Sequence, residues 1–467
     1  MYKTIQVKLN VSEEVMTFLV HQGHAANSLI NSAHYEIRQK HYAECPKVEF
    51  FDKDDFYRTS FKIKTVKDAG YASLCTLMKD NPHYQQLGGQ CAQQTLKSVA
   101  EQYVSYNGLL SSWAKGEVSK PSMPKYRKSG GVSGFTYPAQ AVALDIENGM
   151  CRLPIPRELN SLIKDELGLK EIWINGATGF IPSQLVEVRI VPRNNNWYAE
   201  YVYQSGHDGA ICSLVLDHKS AIGIDPGTAR NWLTCVTTNG KSFIIDVKKI
   251  KASNQWYNKQ VATLKDGKPQ GFWNDELAQI TERKYRQMRD AVNKTARFVI
   301  NYCLNHKIGN VVFGWNAGHK DGSDMGKRNN QNHVQIPTAK LKERIKQLCE
   351  ENGIQFHETE ESYTSKASFL DNDVLPKYGE KPKEWKPSGI RNGRIYKTAH
   401  GMIVNADAQA AANILRKVAI QLGFSLVKIV REVLTLPKRY DLFRNLKKSY
   451  RKRSCEGGLK VPVATTA

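Results

Sequence analysis

Two aspartates stand at places where a folded chain would hold a carboxylate in a fixed position. Asp225 ends the apolar run AIGID, and Pro226 and Gly227 turn the chain directly after it. An acid at the polar end of a buried strand fits three uses. It caps the turn, it belongs to a phosphate-binding loop, since DPGT fits the pattern Asp-x-Gly-Thr, or it binds a metal ion. The motif alone does not choose among them.

Asp407 is the second such acid, in the segment VNADAQAAANILRK. The segment predicts an amphipathic helix with Asp407 in its first turn and Asn405 as its cap. Small residues, Ala408 and Ala410 to Ala412, would let this helix pack closely on a sheet. An acid at a helix start also compensates the helix dipole, so this position does not by itself require a function.

The charge of the chain indicates its partner. The 467 residues include 67 Lys and Arg against 45 Asp and Glu, a formal net charge of +22. Each cation set against a phosphate releases counterions and gains affinity, so nucleic acid is the predicted partner. The excess excludes most acidic metabolic enzymes as models. We find no long helix with a basic face opposite an apolar one, no signal peptide and no apolar run of about 18 residues, so no membrane partner is expected.

The elements that must position the two acids follow from periodicity. Residues 2–9 alternate as in a strand, and 11–115 have mostly helical spacing. Short β-like pieces between Gly, Pro and Asn follow up to about residue 210 and suggest an antiparallel barrel. After Asp217 an α/β pattern begins, with strands AIGID, WLTCVTT, SFIID, NVVFGW and IQFHE and helices at about 274–306, 338–351 and 407–421.

Several motifs of this second half resemble one family. AIGIDPG, GKRNNQNHVQIP (326–337), ESYTSKASFLD (361–371) and NADAQAAANI (405–414) together resemble the RuvC nuclease domain of TnpB. TnpB is the RNA-guided endonuclease family of insertion sequences, related to the type V CRISPR effectors. The resemblance covers most of residues 216–420. The upstream order of strand, helical segment and β pieces is similar to the wedge and recognition lobes of the family.

The resemblance implies a triad of carboxylates that binds two Mg²⁺ ions and hydrolyses DNA. Asp225 and Asp407 match two of the acids directly. In most of the family the third, a glutamate, ends the fourth strand, where this chain has Gly314 and Trp315. Some members carry it after the next strand instead, where this chain has Glu361, with Glu358 and Glu360 nearby. Adjacent strands lie about 4.8 Å apart, so a carboxylate there can reach the same ions. We therefore expect Asp225, Glu361 and Asp407 to be the catalytic metal ligands.

The family usually carries a four-cysteine zinc ribbon before the last aspartate. Residues 350–454 of this chain contain no cysteine, and the nine cysteines are scattered and never spaced CxxC. We predict reduced, buried thiols, no structural zinc, and a loop-like insertion held by packing or by nucleic acid.

Basic segments predict where nucleic acid binds. Cations, amides and an aromatic suit phosphate contacts and stacking. The resemblance makes guide RNA the ligand of the segment at 120–128 and places the others near the active site. The predicted nucleic-acid-binding residues are Lys120, Lys125, Tyr126, Arg127, Lys128, Lys327, Arg328, Asn330, Gln331 and Lys366.

The expected fold is a multidomain α+β chain, with a β-barrel wedge domain, an inserted helical recognition domain and an RNase H-like (RuvC) α/β nuclease domain. The expected segments are the first wedge strand (1–10), the recognition domain (11–115), the wedge barrel (116–215), the nuclease domain (216–363 and 404–425), the zinc-free insertion (364–403) and a basic tail (426–467).

The sequence thus predicts a prokaryotic, cytoplasmic, nucleoid-associated endonuclease. It would bind guide RNA, from a transposon end or a CRISPR array, and cleave matching double-stranded DNA beside a short motif. One rival is the same scaffold with an inactive site, acting by occupying DNA. Another is an actin-like ATPase, but we find no second phosphate-binding loop and this class does not explain the charge.

Overall fold

The structure, a computed structural model, describes residues 2–51, 57–61, 64–180, 182–204, 215–227, 231–316 and 336–443. The chain divides into two compact units, Met1–Asp208 and Gly209–Ala467. Both units contain helices and sheets, which confirms the mixed α+β class. None of the described helices combines the length and the apolar character that crossing a membrane requires.

The helices of the first unit pack around one core. Ser12 begins the first long helix, since its hydroxyl accepts a hydrogen bond from the backbone N–H of Val15. The region 11–115 was predicted to be helical, and it also contains a β-hairpin. In order, the elements are β1 (Tyr2–Lys8), α1 (Glu13–Glu44), β2 (Lys47–Phe51), β3 (Tyr57–Phe61), α2 (Tyr71–Met78), α3 (Pro82–Leu87) and α4 (Gly89–Ala114).

The strands of the first unit form open sheets. One sheet has the order β1, β9, β8, β4, so the opening strand does pair with a later one. The other has the order β5, β6, β7. These strands are β4 (Phe135–Pro138), β5 (Ala143–Asp145), β6 (Met150–Leu153), β7 (Ile172–Asn175), β8 (Leu185–Arg193) and β9 (Asn196–Gln204).

A closed barrel was predicted here, and the described strands do not form one. The reason lies at the edge strand β4. Pro138 has no N–H to donate to a further strand, and the chain just before β4 bonds to α1 through Ser133 N–H and Gly23 O, 2.9 Å apart. Helix α1 therefore contacts the chain at the start of this edge strand, and Pro138 offers no donor at its end.

The second unit is built on a six-stranded sheet of order β14, β13, β10, β11, β12, β18. Strands β10 to β12 are antiparallel neighbours, whereas β13 is parallel to β10, β14 to β13 and β18 to β12. The strands of this unit are β10 (Asp217–Pro226), β11 (Asn231–Thr237), β12 (Lys241–Asp246), β13 (Ile308–Gly314), β14 (Gln355–Thr359), β15 (Ile390–Asn392), β16 (Ile395–Lys397), β17 (Ile403–Asn405) and β18 (Lys438–Tyr440).

Helices cover both faces of this sheet. Ile222 and Ile224 of β10 belong to the core that includes the helices after β12 and β13, whereas Ala221 belongs to the opposite core, with the alanine-rich helix. The three predicted helices match the structure within about one residue at each end. The helices are α5 (Lys248–Lys265), α6 (Asp275–Asn305), α7 (Thr338–Glu351), α8 (Ala406–Leu422) and α9 (Arg431–Thr435).

Candidate active site

Asp225 lies at the end of β10 on the face that α8 covers. Side chains alternate along a strand, so Asp225 shares the face of Ala221 and Gly223. A Cβ at position 223 would lie 2.6 Å from both the backbone oxygen of Ala411 and Cγ of Leu415. The glycine therefore lets α8 pack directly on the strand, which brings the start of that helix beside the strand end.

Asp407 lies in the first turn of α8, which Asn405 caps as predicted. The side-chain oxygen of Asn405 accepts hydrogen bonds from the backbone N–H groups of Asp407 and Ala408, at 3.0 and 3.1 Å. The Asp407 carboxylate accepts a hydrogen bond from Asn231 Nδ2 on Oδ2, at 2.7 Å, and one from Arg391 on Oδ1, at 2.9 Å. Both oxygens of this carboxylate therefore have a partner.

Glu361 occupies space that a side chain at position 314 would need. A Cβ built on Gly314 would lie 2.9 Å from Glu361 Cγ and 3.0 Å from its Oε1. The Glu361 backbone N–H donates to Asn316 Oδ1 at 3.0 Å, which ties the glutamate to the residues after β13. Glu361, on the segment after β14, thus fills the space beside Gly314 at the end of β13.

The two neighbouring glutamates have other partners. Glu358 forms an ion pair with Lys342 at 2.6 Å, and Glu360 forms one with Lys417 at 2.6 Å. Glu361 Oε1, by contrast, is buried and has no hydrogen-bond partner among the described residues. Of the three candidate glutamates, Glu361 is the one with a carboxylate oxygen available inside the site.

The three predicted acids line one pocket, and burial dominates its electrostatics. The pKa of Asp225 lies well above its ordinary value because of desolvation, and next because of the nearby Glu361 and Asp407 carboxyls, while Arg391 opposes the shift. Desolvation raises the pKa of Glu361 to about 7. The pocket is lined by Asp225, Pro226, Gly227, Asn231, Thr234, Asn316, Glu361, Thr364, Ser365, Arg391, Gly393, Arg394 and Asp407.

The donor set of this pocket fits a hard divalent cation. Carboxylate oxygens are the ligands Mg²⁺ prefers, and an orphaned buried oxygen on Glu361 together with the raised pKa of Asp225 shows that the described residues do not fully stabilise the ionised acids of the pocket. No group of three or more His, Cys, Asp or Glu side chains in the described ranges is arranged to hold a metal ion as it stands. Arg391 pairs with Asp407 in this arrangement, at 2.9 Å.

The insertion at 364–403 is a folded element rather than the loop predicted for it. Strands β15, β16 and β17 form a three-stranded antiparallel sheet, and the buried Tyr396 donates to the backbone oxygen of Lys366 at 2.9 Å. Asp373 Oδ2 accepts from the backbone N–H groups of Ser368 and Ser388, at 2.7 and 3.0 Å. Carboxylates and one tyrosine thus hold the insertion together. The absence of zinc stays a prediction.

The predicted RNA-binding segment at 120–128 is docked on α1. Arg38 of α1 donates to the backbone oxygen of Pro124 and lies 4.5 Å from the ring centre of Tyr126. Asn31 exchanges two hydrogen bonds with the backbone of Arg127, at 2.8 and 3.1 Å. Lys120, Lys125 and Lys128 are exposed. The segment therefore has a fixed backbone that presents lysines to solvent.

The remaining predicted nucleic-acid-binding residues fall into two groups, one residue that the structure describes and four that it does not. Lys366 is exposed and lines a second pocket, which shares Ser365, Arg391 and Gly393 with the acidic one. Lys327, Arg328, Asn330 and Gln331 lie outside the described residues.

Sequence reasoning gave no site role to three side chains near the acids, Arg391, Asn231 and Arg439. Asn231 was not considered, and Arg439 was included only in the predicted basic tail (426–467). Asn231 follows the Asp225 turn closely and begins the next strand, so hairpin geometry could have placed it near the site. Arg439 gave no comparable signal, because the strand that carries it is three residues long.

The fold and the pocket define an α/β domain with three carboxyl groups gathered at one edge of its central sheet. Residues 203–318 match the model of the OrfB_IS605 family, described as a probable transposase. The match confirms the resemblance to the TnpB-like family. It includes Asp225 and ends before Glu361 and Asp407.

Comparison with solved structures gives weak similarities over most of the chain. The protein chain of the Cas12f1–sgRNA–target DNA complex has 14% sequence identity to this chain, and the alignment covers 89% of this chain and 98% of that chain with a TM-score of 0.31. The mini RNA-guided endonuclease CRISPR-Cas_phi3 is 10% identical, with 94% of each chain covered and a TM-score of 0.41. No curated protein sequence matches the chain. Similarities this weak do not identify an activity.

Proposed function

We propose that the chain is an RNA-guided DNA endonuclease whose nuclease domain, of RuvC type, uses Asp225, Glu361 and Asp407. The observation that carries the proposal is the convergence of these three carboxyl groups, from β10, the segment after β14 and α8, on one pocket. Keeping these acids ionised in a buried pocket costs free energy, and the raised pKa values of Asp225 and Glu361 reflect that cost.

The three acids would hold Mg²⁺. When bound, the ions would supply charge neutralisation and Lewis-acid assistance for hydrolysis of a phosphodiester. The chain's own contribution is positional. Asn231 orients Asp407, Gly314 leaves room for Glu361, and the close packing of α8 on Gly223 sets the approach of Asp407 to Asp225. Arg391 and Arg394 line the same pocket and suit the phosphates of a bound strand.

Guide RNA and target DNA are the proposed partners. Three features support them: the net charge of +22, the exposed lysines at 120–128 on a fixed backbone, and the match to a transposase family. A short DNA motif beside the target and a transposon-end or CRISPR source of the RNA complete the proposal.

The test is nicking or cleavage of a plasmid that matches the RNA copurified with the protein. Sequencing that RNA gives the guide, and the plasmid library carries random bases beside the target. We expect Mg²⁺-dependent cleavage that Asp225→Ala, Glu361→Ala and Asp407→Ala each abolish. An unmatched plasmid is the control. Cleavage that survives all three substitutions would show that another site cuts.

The alternative is an RNA-guided protein that binds DNA without cutting it. One observation favours it: the described acids do not form a ready-made metal group, and Arg391 pairs with Asp407. In the plasmid experiment this alternative predicts guide-dependent retention of the target on the protein with the DNA intact. The same gel therefore separates the two functions.

A further inference from the structure

Asn231 connects Asp407 to a residue from the far end of the described chain. Its Nδ2 donates to Asp407 Oδ2 at 2.7 Å, and its Oδ1 accepts a hydrogen bond from Arg439 at 3.0 Å. Asn231 is buried, with 5% of its surface exposed. The two contacts use both ends of one amide group.

The chemistry of the partners fixes which way this amide faces. A guanidinium has only donors, so the atom facing Arg439 must be the amide oxygen. The nitrogen then faces Asp407, and a carboxylate accepts a hydrogen bond from it. Both partners therefore require the same orientation of the amide, and Arg439 holds the amide oxygen that Asp407 leaves unused. If Arg439 were absent, the amide would lose this second anchor and could rotate away from Asp407.

Arg439 is itself held in place. It lies on β18, opposite Ile244 of the parallel strand β12, and its guanidinium lies 3.3 Å from Asp246 Oδ2. The next residue, Tyr440, packs against Phe298 and Phe243 with ring centres 4.7 and 5.8 Å apart. An aromatic contact and an ion pair thus anchor the strand that carries Arg439.

We propose that Arg439 is a positioning residue of the nuclease site, acting on Asp407 through Asn231. The segment after α8 would then belong to the active centre, although its basic residues suggest a nucleic-acid contact. This inference rests on the proposed function. It assigns to β18 a role beyond completing the sheet: keeping one carboxylate oriented for a divalent cation.

If Arg439 only stabilised the fold, its substitution would have a different effect. Loss of the pair with Asp246 would weaken β18 and lower the thermal stability, with no specific effect on Mg²⁺. Loss of the hydrogen bond to Asn231 would instead lower the affinity for Mg²⁺. Hydrogen bonds to metal-binding side chains typically change metal affinity by about 10- to 100-fold.

The experiment compares Asn231→Ala, Arg439→Ala, the double variant and the control Lys438→Ala. The control removes an equal charge from the exposed neighbour of Arg439. Two quantities are measured: the Mg²⁺ concentration for half-maximal plasmid nicking, and Mg²⁺ binding to the protein without nucleic acid, by calorimetry. Thermal melting without metal reports stability. Arg439→Met, which keeps much of the side-chain length but has no donor for Asn231, replaces Arg439→Ala if the latter fails to fold.

We expect each single variant to weaken Mg²⁺ binding and to raise the half-maximal Mg²⁺ concentration by about tenfold or more. The double variant should be no worse than Asn231→Ala, because both substitutions break the same connection. Lys438→Ala should match the unmodified protein. Additive effects, or an Arg439 variant that binds Mg²⁺ normally while the unmodified protein cuts, overturn this inference alone. Absence of Mg²⁺-dependent cutting by the unmodified protein overturns the proposed function and this role with it.

Discussion

At the scale of single residues, Glu361 and Gly314 form a matched pair. The glycine lacks the side chain that would fill the space, and Glu361, from the segment after β14, enters it. The sequence showed both parts of this exchange, a missing acid at the end of β13 and a surplus of acids after β14. Only the family resemblance selected Glu361 over Glu358 and Glu360. The physical difference among the three is visible in the structure alone, where Lys342 pairs with Glu358 and Lys417 with Glu360.

The first prediction concerns pH. The Glu361 pKa is raised from 4.5 to about 7, so the folded, metal-free protein favours the neutral carboxyl. Its stabilising effect is complete below about pH 4.5 and is lost as the pH rises through 7. We expect Glu361→Gln to stabilise the metal-free protein at pH 8, by on the order of 3 kcal/mol, and much less at pH 5. Thermal melting with a chelator at both pH values measures the difference.

The control for this prediction is Glu360→Gln. Glu360 pairs with Lys417, so its substitution should not stabilise the protein at pH 8. An unchanged melting temperature of Glu361→Gln at pH 8 would contradict the burial of this carboxyl.

The second prediction is that Gly314→Ala damages the site. Its Cβ would lie 2.5 Å from Ile414 Cδ1 and 2.9 Å from Glu361 Cγ, closer than packed atoms approach. Overpacking of this kind costs about 1–3 kcal/mol. We expect a lower melting temperature and a larger loss of Mg²⁺-dependent cleavage. The control is Gly108→Ala, where nothing lies within 4 Å of the new Cβ. Normal cleavage by Gly314→Ala would show that Glu361 does not need this space.

At the scale of elements, long periodic segments were predictable and short ones were not. Helices α6, α7 and α8 carry many apolar residues at helical spacing, so their sequence is sufficient to predict them. Strands β15 to β18 have three residues each, too few to show a period. Distant partners stabilise them, such as the backbone oxygen of Lys366 for Tyr396 of β16 and Asp246 for β18.

The third prediction concerns the insertion. Its hydrogen bonds to Asp371 and Asp373 should keep it folded without metal, so a chelator should leave its sensitivity to protease unchanged. Asp373→Ala removes the acceptor of two backbone N–H groups and should make the insertion sensitive. Limited proteolysis with mass spectrometry locates the cuts.

Asp371 adds a dependence on pH to the insertion. Burial raises its pKa, but hydrogen bonds from Ser368, Ala399 and Ser388 outweigh burial and lower it overall. Its contribution to stability is therefore present at neutral pH and is lost in acid.

Zinc found in the purified protein, or protease sensitivity induced by a chelator, would contradict a metal-free insertion. Glu380→Ala, at an exposed position of the same insertion, is the control substitution.

At the scale of the whole molecule, the charge of +22 makes binding to nucleic acid depend on salt. The salt dependence was predictable from the sequence, because net charge is a sum over residues and needs no structure. The sequence did not indicate that residues within one basic segment have different roles. Tyr126 and Arg127 contact α1, whereas Lys125 and Lys128 point their charge at solvent.

The fourth prediction separates these uses. The double variant Lys125→Ala, Lys128→Ala should bind RNA more weakly, with a shallower dependence on salt by about one to two released counterions, and should melt normally. Tyr126→Ala should lower the melting temperature, because it removes the contact with Arg38. Filter binding over a range of salt concentrations gives the affinities.

The matched control is Lys164→Ala, Lys170→Ala, which removes the same charge at two exposed positions elsewhere in the first unit. Equal loss of RNA affinity in the two double variants would mean that net charge alone, and not the segment at 120–128, attracts the RNA.

The absence of a side chain at Gly223 has one more effect. Because α8 contacts the backbone of β10 there, the spacing of Asp225 and Asp407 is set by main-chain atoms, which shift little. Glu361 lies on a connecting segment and has a longer side chain. When Mn²⁺ or Ca²⁺ replaces Mg²⁺, we therefore expect the side chain of Glu361 to move and so accommodate the different ionic radius. Shortening this residue to aspartate should narrow the range of ions that support cutting.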